Sequence, residues 1–185
     1  MPTTYFTADT HFSHAAIINY AARPFATIEQ MDQVLIDNIN QLLGRDDVLY
    51  HLGDFTLGDY QTFCSYAQRL KQAIRINIVP GGHDRRWIKN FVAADWPNIT
   101  ILPNLTTMEN VSPPIVLCHY ALRSWDRAIY GTWHLYGHSH CKLPAFGLSY
   151  DVGVDCNGFS PISYDAIAKI METKIKEQDD NPRPV

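Results

Sequence analysis

The clearest periodic signal in the chain lies between Thr27 and Gly44. Met31, Leu35, Ile39 and Leu42 recur every three or four residues, the spacing that lines apolar groups along one face of a helix. Thr27 followed by Gln30 is a capping pair for its start, and Gly44 is a stop for its end. Shorter helices are predicted over 15–20, around Phe63, Ala67 and Leu70, and over 84–94. Between them, the runs at 4–8, 48–52 and 74–79 read as strands, each leading into Asp, Gly or Pro.

Past residue 98 the character changes. Short strand-like runs at 99–102, 105–111, 115–118, 133–136 and 150–154 are separated by polar and Pro-containing breaks. A last amphipathic helix is predicted over 163–175, carrying Ile167, Ile170 and Met171, and the polar, Pro-rich stretch 178–185 reads as a loose tail. There is no internal repeat and no linker, so residues 1–177 are read as one domain. Alternating strands and helices followed by a strand-rich half point to an α/β or mixed layered fold, with strands buried between helices.

Composition narrows the class. The 185 residues are 46% apolar and 18% charged, which is ordinary for a globular domain with its own core. A net charge of −4 gives no strong signal for duplex nucleic acid. No apolar run is long enough to cross a bilayer, so no membrane partner is expected. Residues 1–8 lack the features of a signal peptide. Cys64, Cys118, Cys141 and Cys156 form no CxxC pair. They are read as reduced thiols, consistent with a cytoplasmic protein.

The chemistry lies where the predicted strands end. Five segments each offer one or two ligands: Asp9-Thr10-His11, Gly53-Asp54, Gly81-Gly82-His83-Asp84, Cys118-His119 and Gly137-His138-Ser139-His140. Strand-end loops on a rigid sheet are where catalytic groups collect. If these segments are extended, residues two apart share a face, so Asp9 and His11 can reach one ion together and His138 and His140 a shared pair. Mixed Asp and His ligands suit Mn, Fe, Ni or Zn better than Ca or Mg. A lone carboxylate such as Asp54 has two oxygens and can bridge two ions.

In order and wording, these blocks resemble the calcineurin-like metallophosphoesterases, whose pattern is D-x-H, G-D, G-N-H-[DE], a lone His, then G-H-x-H. The flanking His51-Leu52-Gly53-Asp54 and Val152-Gly153-Val154-Asp155 are similar to the small phage and bacterial members. The resemblance implies a four-layer α/β/β/α sandwich, two mixed β-sheets flanked by helices. It implies hydrolysis of a phosphomonoester or phosphodiester by metal-bound hydroxide, acting on a phosphorylated small molecule or nucleotide. Two divalent transition metal ions are implied: Asp9, His11 and His140 on the first, His119 and His138 on the second, Asp54 between them. His83 faces the phosphate as acid or charge stabiliser, and Asp84 orients His83. One position departs from the pattern. Gly82 stands where the family has Asn, which removes a ligand and a phosphate contact and implies a weakened second site. Gly82→Asn is therefore expected to strengthen that site. A degenerate member that binds a phosphorylated ligand or a protein without turnover is the rival reading; structural zinc is disfavoured because no Cys spacing fits.

Other residues carry lesser expectations. His14, Arg23 and Arg123 are candidates for substrate contact, the arginines because a guanidinium fork fits phosphate oxygens. Trp125 and Tyr130 are candidates to wall a ring, and Trp133 to fill the core. His51 and His134 read as buried strand residues, and Asp155 as support for a ligating His.

Overall fold

A computed structural model describes residues 2–144 and 146–180. In chain order the strands are β1 (Thr4–Thr7), β2 (Val48–His51), β3 (Arg75–Ile78), β4 (Ile99–Ile101), β5 (Leu105–Met108), β6 (Ile115–Cys118), β7 (Trp133–Tyr136), β8 (Ser149–Asp151) and β9 (Ile162–Ser163). The α-helices are α1 (Ala16–Tyr20), α2 (Ile28–Leu42), α3 (Tyr60–Ala67), α4 (Arg85–Ile88) and α5 (Tyr164–Asp180). One sheet has the order β4-β3-β2-β1-β9 and the other β5-β6-β7-β8. Within each, all strands are parallel except β9 and β5. The result is the expected α/β sandwich of two mixed sheets flanked by helices.

Strand alternation divides the core in two. Tyr5, Leu49, Ile76 and Ile99 are in register across the first sheet and face Met31, Leu35 and Ile39 of α2 and Phe63 of α3. Their neighbours Phe6 and Tyr50 face the other way and meet Ile115, Leu117, Trp133 and Leu135 of the second sheet, with Ile167 and Met171 of α5. Trp133 is thus a core residue, as expected. The cap of α2 forms as read: the Thr27 hydroxyl accepts from the Gln30 N–H at 3.2 Å, and the Gln30 side chain accepts from the Ala26 N–H.

Several boundaries differ from expectation; the strands expected over 105–111 and 150–154 and the helix expected through Leu70 are shorter, ending at Met108, Asp151 and Ala67, and three further differences are larger. The helix predicted over 84–94 is the four-residue α4, followed by a separate 3-10 turn at Ala93–Asp95. Trp87 stacks on Phe63 at 4.0 Å and Trp96 packs on the same ring at 5.6 Å. Nine residues are two and a half helical turns, so a continuous helix would send these two rings to opposite sides. β9 has no periodicity of its own to read, being two residues laid against β1. α5 continues to Asp180 through the first residues of the stretch read as a tail; residues 181–185 lie outside the described residues. No helix among the described residues is long and apolar enough to cross a membrane.

Candidate metal centre

Parallel strands end on the same side, so their C-terminal loops share one edge of the sandwich. The loops after β1, β2 and β3 deliver Asp9 and His11, Asp54, and His83; those after β6 and β7 deliver His119, His138 and His140. The groups converge without any loop having to reach far, as in other open parallel sheets.

The local backbone is not the extended one expected. Asp9, His11, Asp54, His138 and His140 all have positive φ, between 46° and 66°. Asp and His tolerate this region better than most residues, though each such turn still costs on the order of 1 kcal/mol. Asp9 and His11 do meet, through two left-handed turns rather than a shared strand face. His138 and His140 are sent apart. His140 joins Asp9 and His11, while His138 joins Asp54 and His119; in each trio the ligand atoms lie within 4.8 Å of one another.

Asp54 connects these groups. Its Oδ2 lies 3.3 Å from His119 Nε2, 3.7 Å from His83 Nε2 and 3.8 Å from His11 Nε2. Asp9 Oδ1, His11 Nε2 and His119 Nε2 are buried, with no hydrogen-bond partner among the described residues. Leaving three such atoms unsatisfied beside one another is costly unless something outside the chain bonds them. All three are atoms of the kinds that ligate metals and belong to the clusters, so the donor set fits divalent cations.

A second layer of bonds sets these ligands. His119 Nδ1 bonds the Leu52 carbonyl at 2.7 Å and His140 Nδ1 bonds Asp155 at 2.7 Å, which turns Nε2 of each ring inward. Asp9 Oδ2 accepts from the His138 N–H, and Asp54 Oδ1 from the His83 N–H. Asp151 accepts from the hydroxyl of Ser139, the residue between His138 and His140. Glycine is required beneath the carboxylates: a Cβ at Gly81 would strike the Asp54 carboxylate, and one at Gly137 would lie 2.6 Å from Asp9 Oδ2.

Asp84 has a different post from the one expected. Its buried carboxylate accepts from the N–H groups of Asp54, Phe55 and Gly81 and from Trp87 Nε1. With its acceptors taken by the floor of the loop, it holds Asp54 and makes no bond to the His83 ring. Arg23 is likewise turned inward. All five of its N–H donors are used: Nε and Nη2 on Asp155, Nη2 on the Asp9 carbonyl, Nη1 on the Thr10 carbonyl and Met31 Sδ. It braces the first cluster and has no donor left for phosphate.

Of the remaining candidates, His14 is placed at the site, its Nδ1 3.3 Å from His11 Nδ1 and its ring beside His83. Arg123 lies over the Phe146 ring and lines a cavity of about 510 Å³ with Ser124, Trp125 and Ile129. Tyr130 is on an exposed 3-10 turn. None of these residues belongs to a metal-ligand trio. His51 is buried and meets the Thr10 hydroxyl, and His134 bridges the Val116 carbonyl and the Leu122 N–H. Cys141 and Cys156 are paired as a disulfide, with Cα atoms 5.2 Å apart, against the expectation of four free thiols. The pairing needs tertiary proximity, which spacing along the chain did not signal.

Electrostatics favour cation entry at the cost of protons. Burial raises Asp9 to about 7, although His119 and His140 pull it down. Burial also lowers His11, to about 2. For His119 burial acts downward, but the Asp54 carboxylate overcomes it and holds the ring up at about 9. Burial opposes ionisation of Asp54, yet His119 and the His83 N–H keep it below the usual carboxylate range. Metal-free protein at neutral pH is therefore expected to carry a proton on His119 and part of one on Asp9. A cation needs both groups deprotonated. Mn²⁺ uptake is thus expected to release about one proton or more at pH 7, and affinity to rise as pH climbs from 7 towards 9. Calorimetry in buffers of different ionisation enthalpy reads this directly; heats independent of buffer would contradict it.

No family model matches the chain. In an alignment 181 positions long that covers 93% of this chain and 93% of the relative, it is 29% identical to the uncharacterized protein MJ1445 of Methanocaldococcus jannaschii. Among solved structures it is similar to the protein of unknown function AQ665 from Aquifex aeolicus, at 26% identity and a TM-score of 0.71, covering 92% of this chain and 100% of that one. That likeness supports the same two-sheet fold. The nuclease MPE of Pseudomonas putida aligns over 74% of this chain and 61% of its own, at 18% identity and a TM-score of 0.48.

Proposed function

We propose that the chain is a metal-dependent phosphoesterase, hydrolysing a phosphomonoester or phosphodiester in a phosphorylated small molecule or nucleotide. The observation that carries this reading is one carboxylate, Asp54, set between Asp9–His11–His140 and His119–His138, with three buried ligand atoms otherwise unbonded. Divalent cations such as Mn, Fe, Ni or Zn, held by these residues, would supply Lewis-acid activation of water and neutralise phosphate charge. The chain's own part is geometric. Asp84 and Arg23 fix the loops, Asp155 and the Leu52 carbonyl aim the imidazoles, and His83 stands half-exposed at the rim. Partly open to solvent and beside Asp54, His83 is suited to hand a proton to the departing oxygen. No hydroxyl or thiol nucleophile paired with a base is needed.

The test is a panel of aryl phosphate mono- and diesters assayed after chelation and after addition of Mn²⁺, Ni²⁺, Co²⁺ or Zn²⁺. Chelation is expected to abolish turnover and one of these ions to restore it; undiminished turnover by stripped protein would sink the reading. Gly82 favours the rival, a binder without turnover, whose signature is metal and phosphate binding with no hydrolysis of any ester. His83→Ala is expected to lower turnover about 10²–10⁴-fold on substrates with poor leaving groups. The loss should shrink for good leaving groups, and metal uptake should be unchanged. Equal losses across the leaving groups would instead assign His83 to charge stabilisation.

A further inference from the structure

Gly82 leaves one side of the second cluster without a side chain, and another residue occupies that space. The Tyr120 hydroxyl lies 3.2 Å from where a Cβ at position 82 would stand. The Tyr120 ring packs edge-on against both His119 and His138, with centroids 4.8 Å from each. These are the two imidazoles that complete the cluster around Asp54. The tyrosine is 42% exposed, and its hydroxyl has no hydrogen-bond partner among the described residues. A polar group is thus held by its ring at the mouth of the second cluster, beside the His83 loop, with its proton uncommitted.

We propose that Tyr120 is a substrate-contacting residue whose hydroxyl, standing in the space Gly82 leaves open, donates a hydrogen bond to a phosphate oxygen held at the second cluster. The inference rests on the phosphoesterase reading. A phenolic O–H is a good donor to an anionic oxygen, whereas beside carboxylate and imidazole the neutral hydroxyl is a poor ligand for a divalent ion. The ring edges on His119 and His138 limit its swing, so the donor is largely in place before an anion arrives. This alters the expectation for Gly82→Asn. The new Cβ would press on the Tyr120 hydroxyl, and the two side chains would compete for one volume. The Gly82→Asn change alone should therefore bring little gain, and its benefit should appear only once the hydroxyl is removed.

The experiment measures binding rather than turnover. Mn²⁺ uptake is followed by electron paramagnetic resonance, and inorganic phosphate binding to the Mn²⁺-loaded protein by calorimetry, for wild type, Tyr120→Phe, Gly82→Asn and the double variant. Tyr120→Phe keeps the ring and is expected to bind Mn²⁺ within about twofold of wild type while binding phosphate about ten- to a hundredfold more weakly, the range for a hydrogen bond to a charged group. Gly82→Asn is expected to change phosphate binding little in the wild-type background and to restore it in the Tyr120→Phe background. Phosphate binding unaffected by Tyr120→Phe, or a loss of Mn²⁺ of the same size as the loss of phosphate, overturns the role given to Tyr120 and leaves the phosphoesterase reading standing. Wild-type protein that takes up no Mn²⁺, or that takes it up and binds no phosphate, overturns both.

Discussion

If the two ligand clusters hold cations as proposed, Asp54→Ala is expected to empty both, whereas His138→Ala should weaken only the second. Asp54 Oδ2 is within 3.8 Å of three imidazole nitrogens on separate loops. Its Oδ1 anchors the His83 N–H. Removing it would therefore take a carboxylate from beside both clusters, and any cations held there would lose the negative charge that offsets their repulsion. The expected loss in Mn²⁺ affinity exceeds the ~10–100-fold typical of disturbing a supporting group around a metal. Activity should fall to background. A second readout works without metal. Asp54 is what holds His119 up at about 9, so in metal-free Asp54→Asn protein the His119 resonance is expected to titrate well below that. Two bound ions in the alanine variant, or an unmoved His119 titration, would remove Asp54 from its central place.

The second large effect is expected at a residue that touches no substrate. Arg23 is buried, with every donor bonded, and the side chain of its partner Asp155 is only 7% exposed. Arg23→Met leaves the Asp155 carboxylate buried with only His140 for company. Breaking a buried pair from one side costs about 3–5 kcal/mol, which in a domain of this size is a fall of about 6–20 °C in melting temperature. The Asp9 and Thr10 carbonyls lose their donors too, so the first cluster should loosen and its Mn²⁺ affinity drop. Arg23→Lys should recover little, because three donors on a flexible stem cannot replace a five-donor planar fork. Arg123→Met, on an exposed residue, is the control and should stay within about 0.5 kcal/mol of wild type. Melting curves of the three variants decide the matter: an Arg23→Met protein as stable as the Arg123 variant would show the buried fork to be dispensable.

Much of this molecule is written locally. The apolar period of α2 and its Thr27–Gln30 start, the two-residue alternation of the strands and the breaks at Gly and Pro depend on neighbours a few positions away, and they were legible for that reason. The candidate ligands stood out because each lies where a strand stops, and parallel strands that stop together bring their loops to one edge. What could not be read was anything set by partners distant in sequence. Arg23 looks like a candidate to grip phosphate until Asp155, 132 residues on, folds against it. Asp84 looks like a partner for the adjacent His83 until the Asp54 loop takes its oxygens. The left-handed turns at Asp9, His11, Asp54, His138 and His140 are imposed by packing around the site, because no local preference of an Asp or His is strong enough to require them. Gly82 reads in the sequence as a missing side chain. Only the tertiary structure lays Tyr120 over that gap, because the two residues sit on loops that follow strands of different sheets, β3 and β6, and meet only where those loops share one edge of the sandwich.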